Sequence, residues 1–543
     1  IERNRSSFNI TARRTYLDLI GTPIYAAINN TNDNKEKIGY NFTDINIKLT
    51  RVFSQRNALS FILFYGNDYL KYKKDEKDSY FEPDRKRDYM RGTWGNWGVG
   101  LRWDKMISTG LYANTVLSYN QYRAFMNKRY RHENSSGDTI RLKKIRFKSG
   151  QEEWRLKSDL TWVINHWNRL YFGGHYIYHV FTPEKRITLH KVMEEETPSR
   201  KRVNYKEYAH EVALYMEDEM TIKEKWIVHP GIRGILFHVG STNYFSLEPR
   251  FSIQYNWTDR WETKASYTLM SQYIHQLGSS TMNMPTDLWV PVSDDVKPMK
   301  SHQCVLGVYY HPCARWHFSL EGFYKTQNHL LDDYNGVDIT PEYADWKENV
   351  HSGKGRSYGL EWMGQKTGGR TNGWINYTLS RAYRWFPDGS INQGRRFPAK
   401  YDSRHILNLV LLHKFSNFFD VSATWTFNNG FYTTQPLERY DTPTYLPGEK
   451  GEEKKDIIFH IEKRNNMKTP DYHRLDLGFN FHRRRKHGIS TWSINLYNAY
   501  CRLNTIELSP DYDSKYGDRE ERQYFSNDWL FPIIPSFSYT FTF

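Results

Sequence analysis

The last residues of the chain alternate without exception from Phe537: Phe537, Tyr539, Phe541 and Phe543 fall on one face, and Ser538, Thr540 and Thr542 on the other. A period of two is the mark of a β-strand. Aromatics on one face and only small hydroxyls on the other suit a strand with lipid outside and water inside. The alternation recurs upstream. Across 421–427 the apolar residues are the odd-numbered ones, and across 474–481 Leu475, Leu477, Phe479 and Phe481 oppose Arg474, Asp476 and Asn480. A charged side chain on the lipid face near mid-membrane costs about 2–4 kcal/mol. Arg474, Asp476 and Asn480 are therefore placed toward the interior of a barrel.

The pattern predicts about twenty strands, at 7–19, 40–51, 58–69, 95–106, 111–126, 152–163, 169–181, 205–220, 226–239, 244–257, 261–275, 301–310, 316–327, 357–365, 373–385, 405–413, 418–428, 474–482, 489–502 and 531–543. The connections between them alternate in length. Long ones include 21–39, 70–93, 127–147, 276–300, 328–356 and 429–472. Short ones include 52–57, 107–110, 165–168, 258–260 and 367–370. The one exception is 240–243, short where a long connection is due. Long loops at one end and tight turns at the other are the plan of a bacterial outer-membrane barrel, and a soluble protein has no reason to sort loops by parity.

Composition narrows the choice. Only 38% of the 543 residues are hydrophobic and mean hydropathy is −0.79, yet 16% are aromatic, with 41 Tyr and 18 Trp. No stretch approaches the ~18 continuous apolar residues of a membrane helix. A β-barrel is compatible, because interior residues dilute the hydropathy of each strand, and the Tyr and Trp suit its interfacial girdles. A two-domain soluble all-β protein is the competing reading of composition alone. The charge of +15 can attract anionic partners such as lipopolysaccharide head groups or reflect solvated loops. No nucleic-acid motif accompanies it.

Little else carries chemistry. Cys304 and Cys313 are separated by extended chain, a span of roughly 20–30 Å and beyond disulfide reach. Cys501 has no evident partner, and no zinc spacing occurs. No nucleophile elbow, phosphate loop or dinucleotide fingerprint stands in a fitting context, so neither a cofactor nor an enzymatic activity is implied. The acidic stretch 332–338 has the wrong spacing for a calcium loop and reads as a solvated turn. Trp289, Tyr334, Tyr343, Trp346, Trp385 and Phe386 lie in or beside long loops. Flat aromatic surfaces next to polar groups suit sugars, peptides or siderophore rings. Their alternative roles are the outer interfacial girdle and packing of loop against loop.

Several segments carry a family resemblance. They are 7–16 (SFNITARRTY), Glu248-Pro249-Arg250, 285–291 (PTDLWVP), 353–361 (GKGRSYGLE), 401–408 (YDSRHILN), Tyr497-Asn498-Ala499-Tyr500 and the closing strand. Together they resemble the barrel of TonB-dependent outer-membrane receptors of the Bacteroidetes type, which usually carry a carboxypeptidase-regulatory-like domain and a plug upstream. The resemblance implies that residues 1–543 form one transmembrane antiparallel β-barrel domain in the bacterial outer membrane. It implies a 22-stranded wall of which about twenty strands are seen, so a longer polypeptide with two further strands and a plug is expected.

The expected activity is import of an extracellular ligand to the periplasm when the inner-membrane TonB complex pulls on the plug. Arg474, Asp476 and Asn480 are the expected lumen and plug contacts. Membrane lipid and lipopolysaccharide surround such a barrel, and a surface lipoprotein or other outer-membrane proteins are further partners that the resemblance allows. Iron chelate, glycan, peptide and cobalamin all stay open as cargo. A docking component of a larger outer-membrane complex, with transport lost or secondary, is the alternative. A barrel enzyme fits poorly, since such enzymes are about half this size and carry a recognisable nucleophile.

Overall fold

A computed structural model describes residues 5–16, 18–19, 22–23, 26–27, 30, 34–77, 85–134, 136–182, 184–191, 206–277, 288–333, 346–442, 456–513, 522–529 and 532–542. Twenty antiparallel strands form a continuous wall, each pairing with the next along the chain. In order they are β1 (Ser6–Arg14), β2 (Asn34–Ser54), β3 (Asn57–Lys77), β4 (Arg85–Ser108), β5 (Leu111–Glu133), β6 (Thr139–Val163) and β7 (Asn168–Phe181). Next come β8 (Glu207–Ile222), β9 (Trp226–Val239), β10 (Thr242–Asn256), β11 (Trp261–Gln272), β12 (Met299–Cys313) and β13 (Trp316–Asp333). The wall ends with β14 (Val350–Lys366), β15 (Thr371–Trp385), β16 (His405–Lys414), β17 (Phe419–Asn428), β18 (Tyr472–Arg485), β19 (Gly488–Tyr497) and β20 (Ile534–Thr542). Two short segments, Glu184–Lys191 and Phe397–Pro398, extend the same sheet beside β6 and β15. No helix among the described residues is long and apolar enough to cross a membrane.

The two faces of the wall differ as the alternation demands. On one face Val308, Leu320, Trp362, Tyr377, Leu407 and Phe427 are successive cross-strand neighbours from β12 to β17. On the other, Asn376, Asn408, Thr426 and Arg474 follow one another from β15 to β18. Apolar outside and polar inside is the order lipid imposes. Aromatic girdles border the apolar band. Trp167, Trp226, Trp257, Trp261 and Phe418 are exposed at the tight turns. At the other border Trp97, Tyr119 and Trp154 lie in a row as tilted pairs, with ring centroids 5.0 and 4.6 Å apart. Trp162 and Trp154 are eight residues apart on β6, roughly 27 Å along a tilted strand, comparable with the ~25 Å apolar band of such barrels.

The short turns take up left-handed backbone where they must. Lys223 and Glu224 (φ 49° and 57°) supply the left-handed positions of the three-residue turn that carries β8 into β9. Gly110 at φ 89° does the same between β4 and β5. The anomalous connection is real: Gly240 and Ser241 alone join β9 to β10 at the long-loop end.

Several expected boundaries are corrected. β2 to β6 run 21 to 25 residues, absorbing much of the connections expected at 21–39, 70–93 and 127–147. These extensions are charged rather than alternating, so hydropathy does not reveal them. Cross-strand ion pairs hold them instead, Arg85 with Asp75 at 2.6 Å and Arg87 with Glu133 at 3.1 Å, while Arg131 pairs with Glu133 along β5 itself at 2.8 Å. Cys313 closes β12, and all three cysteines are free.

Candidate functional site

At the long-loop end a described connection folds inward against the wall. After β11 the chain forms a small hairpin, Ile274–Leu277 paired with Leu288–Pro291. Val290 and Val292 have no exposed surface. Val292 packs with Phe181 of β7, Ala209 and Ala213 of β8 and Phe237 of β9, while Tyr273 stacks on Phe237 at 4.8 Å; Val290 belongs to the cluster on the opposite side. The opposite side of the hairpin packs Leu277, Leu288 and Val296 with Met126 of β5, Phe147 of β6 and Trp346, against which Leu331 of β13 and Val350 of β14 also lie. A cluster that joins β5 to β13 exists only because the sheet curls, so this hairpin bridges two sides of the barrel mouth.

Beneath it lies a polar group assembled from four strands. Glu153 of β6 faces His179 of β7 at 3.3 Å. Glu211 of β8 contacts His175 at 2.9 Å and Arg233 of β9 at 3.5 Å. In the register Glu211 stands opposite Ile177, between the two histidines. Sequence reading missed this ladder, because its members are scattered over about eighty residues and only strand pairing aligns them. Paired carboxylates and imidazoles here keep buried charge compensated. No group of three or more His, Cys, Asp or Glu among the described residues is arranged to hold a metal. In the hairpin itself, burial pushes His275 down to about 4, which keeps it neutral.

The loops of the far side are tied by polar contacts. Asp332, at the end of β13, bridges Arg384 (3.2 Å) and Arg464 (2.7 Å). The side chain of Asn392 exchanges hydrogen bonds with the main chain of Arg464: the Arg464 N–H donates to Asn392 Oδ1 at 2.7 Å, and Asn392 Nδ2 donates to the Arg464 carbonyl at 3.3 Å. Asn465 Nδ2 donates to the Pro398 carbonyl at 2.8 Å, and Gln435 and Asn466 bond each other reciprocally at 2.8 and 2.9 Å. The expected solvated turn is thus a structural tether at its first residue, and residues 334–338 lie outside the described residues.

The expected ligand aromatics separate. Trp289 sits on the inward hairpin opposite Gln276, half-buried against the cluster beneath. Trp346 is 3% exposed and Phe386 fully buried, each within a loop core. Trp385 lies on the outward face, with the guanidiniums of Arg396 and Arg356 over its ring at 5.1 and 6.0 Å. Tyr334 and Tyr343 lie outside the described residues. The three polar residues of β18 share the strand face opposite Leu475, Leu477 and Phe479. Arg474 pairs with Asp476 at 2.9 Å, donates to the hydroxyls of Tyr472 and Tyr497, and covers the Tyr497 ring at 4.1 Å. Asn480 donates to Asp420 at 2.7 Å.

No curated protein matches the sequence. Solved structures of the same architecture include the ferric yersiniabactin uptake receptor of Yersinia pestis, with TM-score 0.59 and 12% identity, over 93% of this chain and 75% of that one. The copper transporter OprC is similar at TM-score 0.59 and 11% identity, over 92% and 71% of the two chains. The ferric citrate transporter FecA is similar at TM-score 0.53 and 11% identity, over 98% and 78%. At such identities the likeness concerns the fold. The sequence itself matches the family model described as TonB dependent receptor-like, beta-barrel, over residues 8–499. The chain belongs to the TonB-dependent receptor β-barrel family and is a protein of the bacterial outer membrane.

Proposed function

We propose that this chain is the wall and mouth of a TonB-driven importer of the Bacteroidetes type, working with a plug seated in its lumen. The observation that carries this reading is the inward hairpin. Its buried seat on β7–β9 and its bridge to β13 and β14 form a roofed vestibule, as a receptor needs to hold cargo before release inward. Trp289 is the aromatic best placed to meet a ligand there, while Trp346 and Phe386 keep the neighbouring loops in position. Arg474, Asp476 and Asn480 present the polar wall on which a plug rests. The chain supplies positioning and a closed path, and makes or breaks no bond.

The similar structures are named for ferric chelates and copper, and metal chelates head the cargo classes to try. Uptake is measured in cells carrying the full-length receptor, with functional or disabled TonB, on a panel of sole iron, copper, cobalamin, peptide and glycan sources. Growth that requires both receptor and TonB on one source supports import. Growth independent of the receptor on every source, together with stable partner proteins after mild extraction, replaces import with a docking role.

A further inference from the structure

The outward face carries a feature that import does not use. On β13 Gly322 stands between Leu306 of β12 and Leu360 of β14, with Leu379 of β15 next in the same row. A glycine flanked by leucines leaves a trough, and a groove of about 760 Å³ opens there, walled above by Tyr324, Tyr358 and Arg381. Its height follows from the register. Trp316 marks the turn-side girdle at the foot of β13, and Tyr324 is eight residues above it, the same interval that separates Trp162 from Trp154. The groove therefore opens into the outer half of the apolar band and its tyrosines stand at the outer border.

Above the tyrosines the outward rows turn basic. The first two rows hold His302 with Arg356 and Lys300 with Lys354, and neither row contains a carboxylate. The Arg356 guanidinium lies over the rings of Tyr324 (5.8 Å) and Trp385, and Arg381 donates to the Tyr383 hydroxyl. Stacking fixes these cations and leaves donors facing outward. Asp402 lies within electrostatic reach of Arg381, but it is buried and accepts the Ala382 N–H. Among the described residues no ion pair engages Arg356 or Arg381. Cations held at a lipid border, above an apolar trough and without carboxylate partners, match a ligand with an anionic head and hydrocarbon chains.

We propose that this groove is a lipopolysaccharide site: one acyl chain lies over Gly322 between Leu306 and Leu360, and a phosphate of the glycolipid head is held by Arg356 and Arg381. The occupant follows from the place. The site is on the long-loop half of an outer-membrane barrel, and the phosphorylated glycolipid of that leaflet supplies both parts. The inference goes beyond import and stands whatever the receptor carries.

The test uses the full-length receptor extracted from outer membranes and washed in detergent, with bound lipid A phosphates counted by mass spectrometry. Gly322→Phe fills the trough; a side chain there first meets the flexible end of Leu360 at 3.4 Å, so the wall keeps its register. Arg356→Gln with Arg381→Gln removes the head contacts, and the heat-modifiable mobility of the folded barrel verifies each variant. Retained lipid A is expected to fall in both, by roughly fivefold for each arginine lost, with Gly322→Ala close to wild type. Equal retention in wild type, Gly322→Phe and the double variant overturns the proposal. So does equal displacement of the bound lipid by phosphatidylglycerol vesicles and by lipid A, which would make the groove a general phospholipid contact.

Discussion

The two sides of the barrel mouth are closed by opposite means. Over β7–β9 the hairpin is seated by Val292, Tyr273 and Phe237, a contact whose strength depends on area removed from water rather than on direction. Over β13–β18 the loops are held by Asp332, Arg464, Asn392, Asn465 and Gln435, through hydrogen bonds and charges that act only at fixed geometry. The apolar seat is indifferent to salt, while the polar lock is sensitive to it. The difference shows how one mouth can keep a firm roof on one side and a releasable tie on the other.

The largest effect is expected from Phe237→Ala. The side chain has no exposed surface, and its loss costs about 3–5 kcal/mol of local stability. Amide exchange should accelerate at 273–277 and 288–292 and stay unchanged at 464–466; equal acceleration in both sectors would erase the distinction between them. Acid acts next, through His275. Its pKa is about 4 when the hairpin is docked and ~6.5 when it is released. The released state thus binds more protons between these values. Docking is fully present above pH ~6.5 and weakens as pH falls toward 4, by on the order of 3 kcal/mol. Exchange at the hairpin measured from pH 7 to 4 should show this slope, and His275→Leu should flatten it.

Asp332→Asn sharpens the other side. Arg464, largely buried, loses the carboxylate that stands 2.7 Å from its guanidinium, at a cost of about 1–3 kcal/mol. Exchange at 464–466 should rise and lose its dependence on salt, with the hairpin untouched. The smallest effect belongs to the inner wall. A double-mutant cycle on Arg474→Ala and Asp476→Ala, read by thermal unfolding in detergent, should give a coupling of roughly 0.2–1 kcal/mol, since both side chains are about a quarter exposed to the lumen. A coupling above that range would mean this pair is part of the mouth's stability rather than a surface for a plug.

Strand number and the alternation of apolar with polar positions were legible along the chain. Leu475, Leu477 and Phe479 alternate with Arg474, Asp476 and Asn480, and the structure keeps that division on β18. Even the short link at Gly240 was visible, because two-residue turns have a local sequence requirement. The charged upper halves of β2–β6 were not, since charge pairs across strands leave no period within a strand. Among the site aromatics, residue type and loop position could not separate Trp289, on the roof, from Trp385, on the outer surface, or from Phe386, in a loop core.

By itself the sequence determined a membrane barrel with a greasy outside, a polar inside and loops gathered at one end, because a strand's period and lipid's intolerance of unpaired polar groups are local constraints. Only the tertiary structure decided which residues meet. Asp332 finds Arg464 across 132 positions of chain, and Glu153, His179 and Glu211 converge from three strands. Those encounters depend on the curl of the whole sheet and on loops folding into its mouth, and no segment of the chain encodes either alone.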